Sequence, residues 1–72
     1  MATDNTIKVV VNGTPQTTQD QTLVPDFLKS LEINPERVVV EWNGKAQTRS
    51  ESASVALSEG DMLEVVRIVA GG

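Results

Sequence analysis

The sequence predicts a single small α+β domain of 72 residues, in which a mixed sheet of four to five strands wraps around one helix. Short β-branched runs recur along the chain, and an Asn-Gly pair directly follows two of them. Only one segment carries apolar residues at helical spacing. One helix and several short strands in so few residues must form two layers around a shared core.

The first hairpin is predicted from a β-branched run at residues 7–11 and the turn signal that follows it. Both central residues of a type I′ turn need positive φ angles, which Asn12 and Gly13 tolerate well. The returning strand is expected over residues 14–18, where Pro15 indicates a position at the edge of the sheet.

The helix is predicted over residues 23–31, with Thr22 as its N-cap and Pro25 in its first turn. It must end before Asn34, because a residue that precedes proline avoids the α region. The apolar face of the helix is expected to consist of Leu23, Phe27, Leu28 and Leu31.

A second hairpin is predicted from strands at residues 38–42 and 45–48, joined by the turn Asn43-Gly44. A serine-containing loop follows, and Gly60 supplies the positive φ angle of a turn before the last strand, residues 62–69. This order of hairpin, helix, hairpin and final strand is that of the β-grasp, or ubiquitin-like, fold.

Alternation along the strands predicts which side chains face the helix. Charged strand residues should face solvent, which places Ile7, Val40 and Leu63 against the helix. Several apolar residues then lie on the uncovered face, and such a patch usually marks a partner surface, unless twist or a bulge covers it. Together with one arginine near the C-terminal end, the predicted partner-binding residues are Val10, Val39, Val66, Arg67 and Ile68.

The composition excludes several classes of function. A net charge of −4 argues against nucleic-acid binding, and the chain has no Cys, His or Tyr for thiolate, imidazole or phenol chemistry. Catalysis by this chain alone would therefore have to rest on carboxylates, Lys, Ser or Thr, and no metal site is predicted. With no long apolar run and a polar N-terminus, it is expected to be cytoplasmic, free of membranes and monomeric when unbound.

The C-terminal end is the most informative feature, because Ala70, Gly71 and Gly72 follow the last strand directly. Two residues without Cβ can thread a narrow slot and carry a carboxylate there, whose ordinary pKa is about 3.5. We expect residues 70–72 to form a flexible tail, residues 7–69 to form the domain, and residues 1–6 to be a flexible N-terminal extension.

Four segments taken together resemble the ThiS family of sulfur carrier proteins of thiamin biosynthesis. They are VEWNG at 40–44, RS at 49–50, EGDMLEVV at 59–66 and VAGG at 69–72. Trp42 departs from the aliphatic residue expected in the family, and Gln47-Thr48 replaces a more apolar pair. The departures lie away from the tail and concern how the protein fits a partner.

The resemblance implies a reaction cycle. A ThiF-like adenylyltransferase of the E1 type would use its own ATP and magnesium to adenylate the Gly72 carboxylate. A sulfur donor system would convert the adenylate to a thiocarboxylate, and a ThiG-like thiazole synthase would accept the sulfur. In this cycle the chain itself would supply no catalytic residue, no metal ligand and no bound cofactor, so the resemblance implies a protein co-substrate that is not itself an enzyme.

Three alternatives remain open at this stage. The small subunit of molybdopterin synthase shares the fold and the diglycine end, although a longer chain with prolines near that end would be expected. A ubiquitin-like protein modifier would also end in two glycines. The third alternative is a β-grasp interaction module with an inert tail.

Overall fold

The computed structural model describes residues 5–69, so most of the predicted N-terminal extension and the whole predicted tail, residues 70–72, lie outside the described residues. The strands are β1 Thr6–Val11, β2 Thr14–Gln19, β3 Val38–Trp42, β4 Lys45–Gln47 and β5 Met62–Arg67. The helices are α1 Val24–Ser30 and α2 Arg49–Ser52, and a 3₁₀ turn occupies Pro35–Arg37.

The five strands form one mixed sheet in the order β2-β1-β5-β3-β4. The central pair, β1 and β5, is parallel, whereas the two hairpins and the β3–β5 pair are antiparallel. Helix α1 covers one face of this sheet. This arrangement confirms the predicted α+β class and β-grasp fold.

The core lies between α1 and the inner face of the sheet, and its composition confirms the predicted strand alternation. Ile7, Val40 and Leu63 are buried on this face, as expected. The connector before β5 also contributes to the core, since Val55 and Leu57 are buried there. The remaining buried apolar residues are Val9, Val11, Val24, Phe27 and Leu28.

Both Asn-Gly turns have the predicted positive φ angles, with 50° at Asn12 and 51° at Asn43. Each asparagine also binds β5 through its side chain. The Asn12 amide donates to the Val65 carbonyl at 3.1 Å, and its oxygen accepts from the Val65 N–H at 2.7 Å. The Asn43 side-chain oxygen accepts from the Met62 N–H at 2.8 Å. The turns therefore fix the last strand as well as reversing the chain.

Asp61 joins the second hairpin to the turn before β5. One oxygen of its buried carboxylate accepts from the Trp42 indole N–H at 3.1 Å and the Ser58 N–H at 2.9 Å, and the other accepts from the Asn43 amide at 3.1 Å. Burial alone would raise the pKa of Asp61, but these hydrogen bonds to the charged form outweigh burial, so the pKa is lowered. Trp42 thus links the end of β3 to the turn before β5 and packs against the core.

The start of α1 differs from the prediction. The N-cap residue is Leu23, whose side chain has no polar atom and makes no capping bond. Thr22 lies one position earlier, and its hydroxyl donates to the Gln19 carbonyl at 2.6 Å. Leu23 is also 40% exposed rather than part of the helix face, since it forms an isolated bridge with Ala56. Val24 takes the buried position.

Two further predictions about local structure were wrong. The expected serine loop contains the short helix α2, because Thr48 and Glu51 form a reciprocal capping box that stabilises its first turn. The last strand ends at Arg67 rather than at Val69, although the Ile68 N–H still donates to the Arg37 carbonyl at 2.8 Å.

We expect Asp61→Asn to lower the free energy of unfolding at pH 7 by about 1.5–3 kcal/mol, because an amide cannot accept all three hydrogen bonds. The pKa of Asp61 is lower in the folded than in the unfolded protein, so its contribution is complete above the unfolded pKa of about 3.9 and is lost as the pH falls through the folded pKa. Urea titrations from neutral to acidic pH should show the difference from wild type shrinking.

The control is Asp20→Asn, which changes an exposed aspartate and should alter stability by no more than about 0.5 kcal/mol. A difference between wild type and Asp61→Asn that stayed constant down to low pH would contradict the assignment.

Candidate partner-binding surface and the end of β5

The outer face of the sheet, opposite α1, exposes apolar side chains near the end of β5. Val39 and Val66 lie directly opposite one another in the β3–β5 register and are 46% and 62% exposed. Ile68, two residues further along, is 49% exposed. The structure therefore brings three of the predicted partner-binding residues together on a surface open to solvent.

Val10 belongs to a second part of this outer face. It is half-buried and pairs with Met62 across the parallel β1–β5 ladder. Met62 is 59% exposed and was not among the predicted partner-binding residues, although its alternation with Leu63 could have revealed it. Arg67 pairs with Val38, so it faces the side of the sheet opposite to Val66 and Ile68. Its side chain is nevertheless exposed, because it lies at the end of the strand.

An acidic pair separates the two apolar parts of the outer face. Glu41 and Glu64 lie directly opposite one another on β3 and β5, an arrangement that costs stability when both are charged. Within residues 5–69, neither carboxylate has a hydrogen-bond or ion-pair partner. Both line a depression of about 900 Å³ that extends between the two Asn-Gly turns. The face thus combines apolar contact area with a negative centre.

The last residues of β5 have a neighbouring strand on only one side. The parallel ladder between β1 and β5 has two register pairs. At Val65 the Asn12 side chain, and not a strand backbone, bonds to the N–H and C=O groups of β5. The Ile68 N–H bonds to the Arg37 carbonyl on the β3 side. Because successive residues point their N–H and C=O groups to alternate sides, those of Arg67 face the side where β1 has ended.

The predicted reactive end, Gly72 with Gly71 and Ala70, lies outside the described residues. Val69, the last described residue, is 86% exposed. In the part of the chain from 5 to 69, no group of three or more acidic, His or Cys side chains could hold a metal ion. No helix in that part combines the length and hydrophobicity needed to cross a bilayer.

Comparisons with known proteins agree with this architecture. The model of the ThiS family matches residues 9–72. A thiazole synthase of Paramagnetospirillum magneticum (strain ATCC 700264 / AMB-1) is 33% identical over 66 residues, which cover 92% of this chain and 20% of that protein. The chain thus spans about one fifth of the length of this curated relative.

Two solved structures are similar over the same share of the chain. The crystal structure of a thiamine biosynthesis protein (ThiS) from Geobacter metallireducens has a TM-score of 0.71 and 30% identity, covering 92% of this chain and 100% of that one. The solution structure of a thiamine biosynthesis protein from the same organism has a TM-score of 0.70 and 29% identity, covering 92% and 88%. Since the family match includes the diglycine end and most of the domain, the chain belongs to the ThiS family.

Proposed function

We propose that this protein is a sulfur carrier of thiamin biosynthesis, a co-substrate whose Gly72 carboxylate is activated and loaded with sulfur by other proteins. The observation that carries the proposal is the ThiS family match, which continues through both terminal glycines of the sequence. The chain contains no His and no Cys, so it offers neither the commonest general base nor a thiolate. Its chemistry would reside in the terminal carboxylate.

The proposed reaction has two steps at that carboxylate. An E1-like adenylyltransferase joins a Gly72 oxygen to the α-phosphorus of ATP, and the bond to pyrophosphate breaks. AMP is a far better leaving group than hydroxide, so sulfide-level sulfur from a donor then forms the C–S bond as the C–O bond to AMP breaks. The resulting thiocarboxylate gives its sulfur to a thiazole synthase. ATP and magnesium belong to the adenylyltransferase.

The structure of β5 supports this role. Leu63 is buried, and Val65 is hydrogen-bonded to the Asn12 amide. Every residue of β3 pairs with a residue of β5. Gly72 follows Arg67 by five residues, and five extended residues span at most about 17 Å. A firmly anchored strand of this kind gives the tail a defined starting point, from which a carboxylate would reach into a partner's active site.

The outer face is the proposed surface for these partners. Val39, Val66 and Ile68 expose apolar area next to the strand from which the tail continues. The relative named thiazole synthase contains a region similar to nearly the whole of this chain. That similarity supports an association between this domain and a thiazole synthase, which we propose as the acceptor of the sulfur.

The reaction is tested by shortening the tail. Deleting Gly72 leaves a carboxylate on Gly71 that ends about 3.4 Å short of its position in the full chain. Reacting atoms must approach to about 3–3.5 Å, so we expect adenylation to be abolished with little change in thermal stability. Gly72→Val should also fail, because a β-branched side chain restricts the backbone and fills the slot. The readout is ATP–pyrophosphate exchange with the adenylyltransferase.

The matched control removes residues 1–4, which precede the family match and should not affect adenylation. Intact mass of the full-length protein after addition of a sulfur donor should show replacement of one oxygen by sulfur. Equal exchange by full-length and truncated proteins would contradict the proposal. An isopeptide-linked product instead of a thiocarboxylate would identify a protein modifier.

The partner surface is tested with Val66→Lys. The side chain is 62% exposed, so the free energy of unfolding should change by no more than about 0.5 kcal/mol. Binding to the adenylyltransferase or the thiazole synthase should weaken about tenfold, because a charge would be buried among apolar contacts at the interface. Isothermal titration calorimetry gives the affinity and urea unfolding gives the stability.

Ala53→Lys is the matched control, since it adds the same charge at an exposed position at the end of α2. It should leave both affinities nearly unchanged. If Val66→Lys unfolds the domain, Val66 is part of the core, and if both variants bind like wild type, the outer face is not the interface.

A further inference from the structure

A cleft of about 360 Å³ lies at the tail end of the sheet and brings together two arginines that are 30 positions apart in sequence. Arg37, at the end of the 3₁₀ turn, and Arg67, the last residue of β5, both line it. Ile33, Val38 and Ile68 supply apolar walls, and Glu32 is the one carboxylate in its lining.

The backbone holds the two arginines in place independently of their side chains. The Ile68 N–H donates to the Arg37 carbonyl at 2.8 Å, and Arg67 lies opposite Val38 in the β3–β5 register. Within residues 5–69, neither guanidinium has a hydrogen-bond or ion-pair partner, and Glu32 pairs with neither of them. Two cations and one anion therefore line a cleft with unused guanidinium donors.

This positive site is unusual for its surroundings. The chain has a net charge of −4, with six basic against ten acidic residues, and two of those six line this cleft. The acidic pair Glu41 and Glu64 lies on the outer face of the sheet, whereas Arg67, three positions after Glu64 on β5, faces the other side.

We propose that the Arg37–Arg67 cleft binds a carboxylate of the partner enzyme, and that this contact fixes the direction in which the tail enters the active site. The inference rests on the proposed function, because it assumes an enzyme that receives the tail. Guanidinium groups match carboxylates with paired, charge-assisted hydrogen bonds, which specify geometry as well as binding. Arg37 and Arg67 act here as docking residues and take no part in the chemistry.

Distance favours a protein carboxylate over a nucleotide phosphate as the occupant. The α-phosphorus that reacts with Gly72 must come within bonding distance of that residue. A tail extended into the partner would place Gly72 up to about 17 Å from Arg67, so an anion in the cleft would lie well outside the reacting centre. A phosphate of the same nucleotide would require the tail to fold back on itself. An acidic side chain on the rim of the partner's entry channel has no such constraint.

The test is the affinity of full-length Arg37→Gln and Arg67→Gln for the adenylyltransferase, measured without nucleotide by isothermal titration calorimetry. Each variant should bind about tenfold more weakly than wild type, as expected for loss of a hydrogen-bonded charge pair. The double variant should lose much less than the product of the two single losses, because both arginines serve one anion. Thermal unfolding of all variants should resemble that of wild type.

Arg49→Gln is the matched control, because it removes the same charge from an exposed arginine at the start of α2 and reports only long-range attraction. Equal weakening by all three single variants would overturn the inference. An effect of Arg37→Gln or Arg67→Gln that appears only with ATP would identify a phosphate and overturn it too. Adenylation of wild type tests the proposed function separately, so cleft variants that bind normally alongside active wild type would refute the inference alone.

Discussion

The whole fold depends on how β5 is held at the centre of the sheet. This strand lies between β1 and β3, the first strands of the two hairpins, and carries the buried Leu63. Backbone pairing alone does not complete its attachment, because the parallel ladder with β1 is short. The side chains of Asn12 and Asn43 add hydrogen bonds to β5. Asp61, the residue just before β5, accepts a further hydrogen bond from the Asn43 amide in the second turn. Each hairpin turn therefore makes side-chain hydrogen bonds that exist only when the last strand is in place.

Much of the fold could be predicted because the turn residues and the alternation of side chains along the strands indicate the same arrangement of hairpins. The Asn-Gly turns required positive φ angles, and charged residues on alternate strand positions determined the buried face. The α2 capping box was also visible in sequence as Thr48 and Glu51, three residues apart, but the surrounding serines suggested a loop. The N-cap prediction failed because the helix begins at Val24, one residue later than Thr22 would cap, and the Leu23–Ala56 bridge holds the chain extended before it.

The candidate partner-binding surface was predictable in part, and the features that were missed share one cause. Alternation along single strands placed Val39, Val66 and Ile68 on the open face without knowledge of strand order. The opposition of Glu41 and Glu64, and the meeting of Arg37 with Arg67, require the register between β3 and β5. A pairing between distant segments produces no repeating pattern within either segment. Sequence patterns can therefore predict which face of a strand is buried, but they do not predict which charged residues meet across strands.

The parallel pairing of β1 and β5 also determines how the domain responds to force. A partner enzyme that pulled on the C-terminal end, as the proposed function requires, would pull β5 along its own axis, past β1. The hydrogen bonds from Val10 to Asp61 and from Asn12 to Leu63, and those of the Asn12 amide, lie across that direction. They are loaded together in shear instead of being opened one after another from an end. Residues after β5 are thus attached through bonds that would have to break together, which would suit the proposed role of a carrier that partner enzymes bind by its C-terminal end.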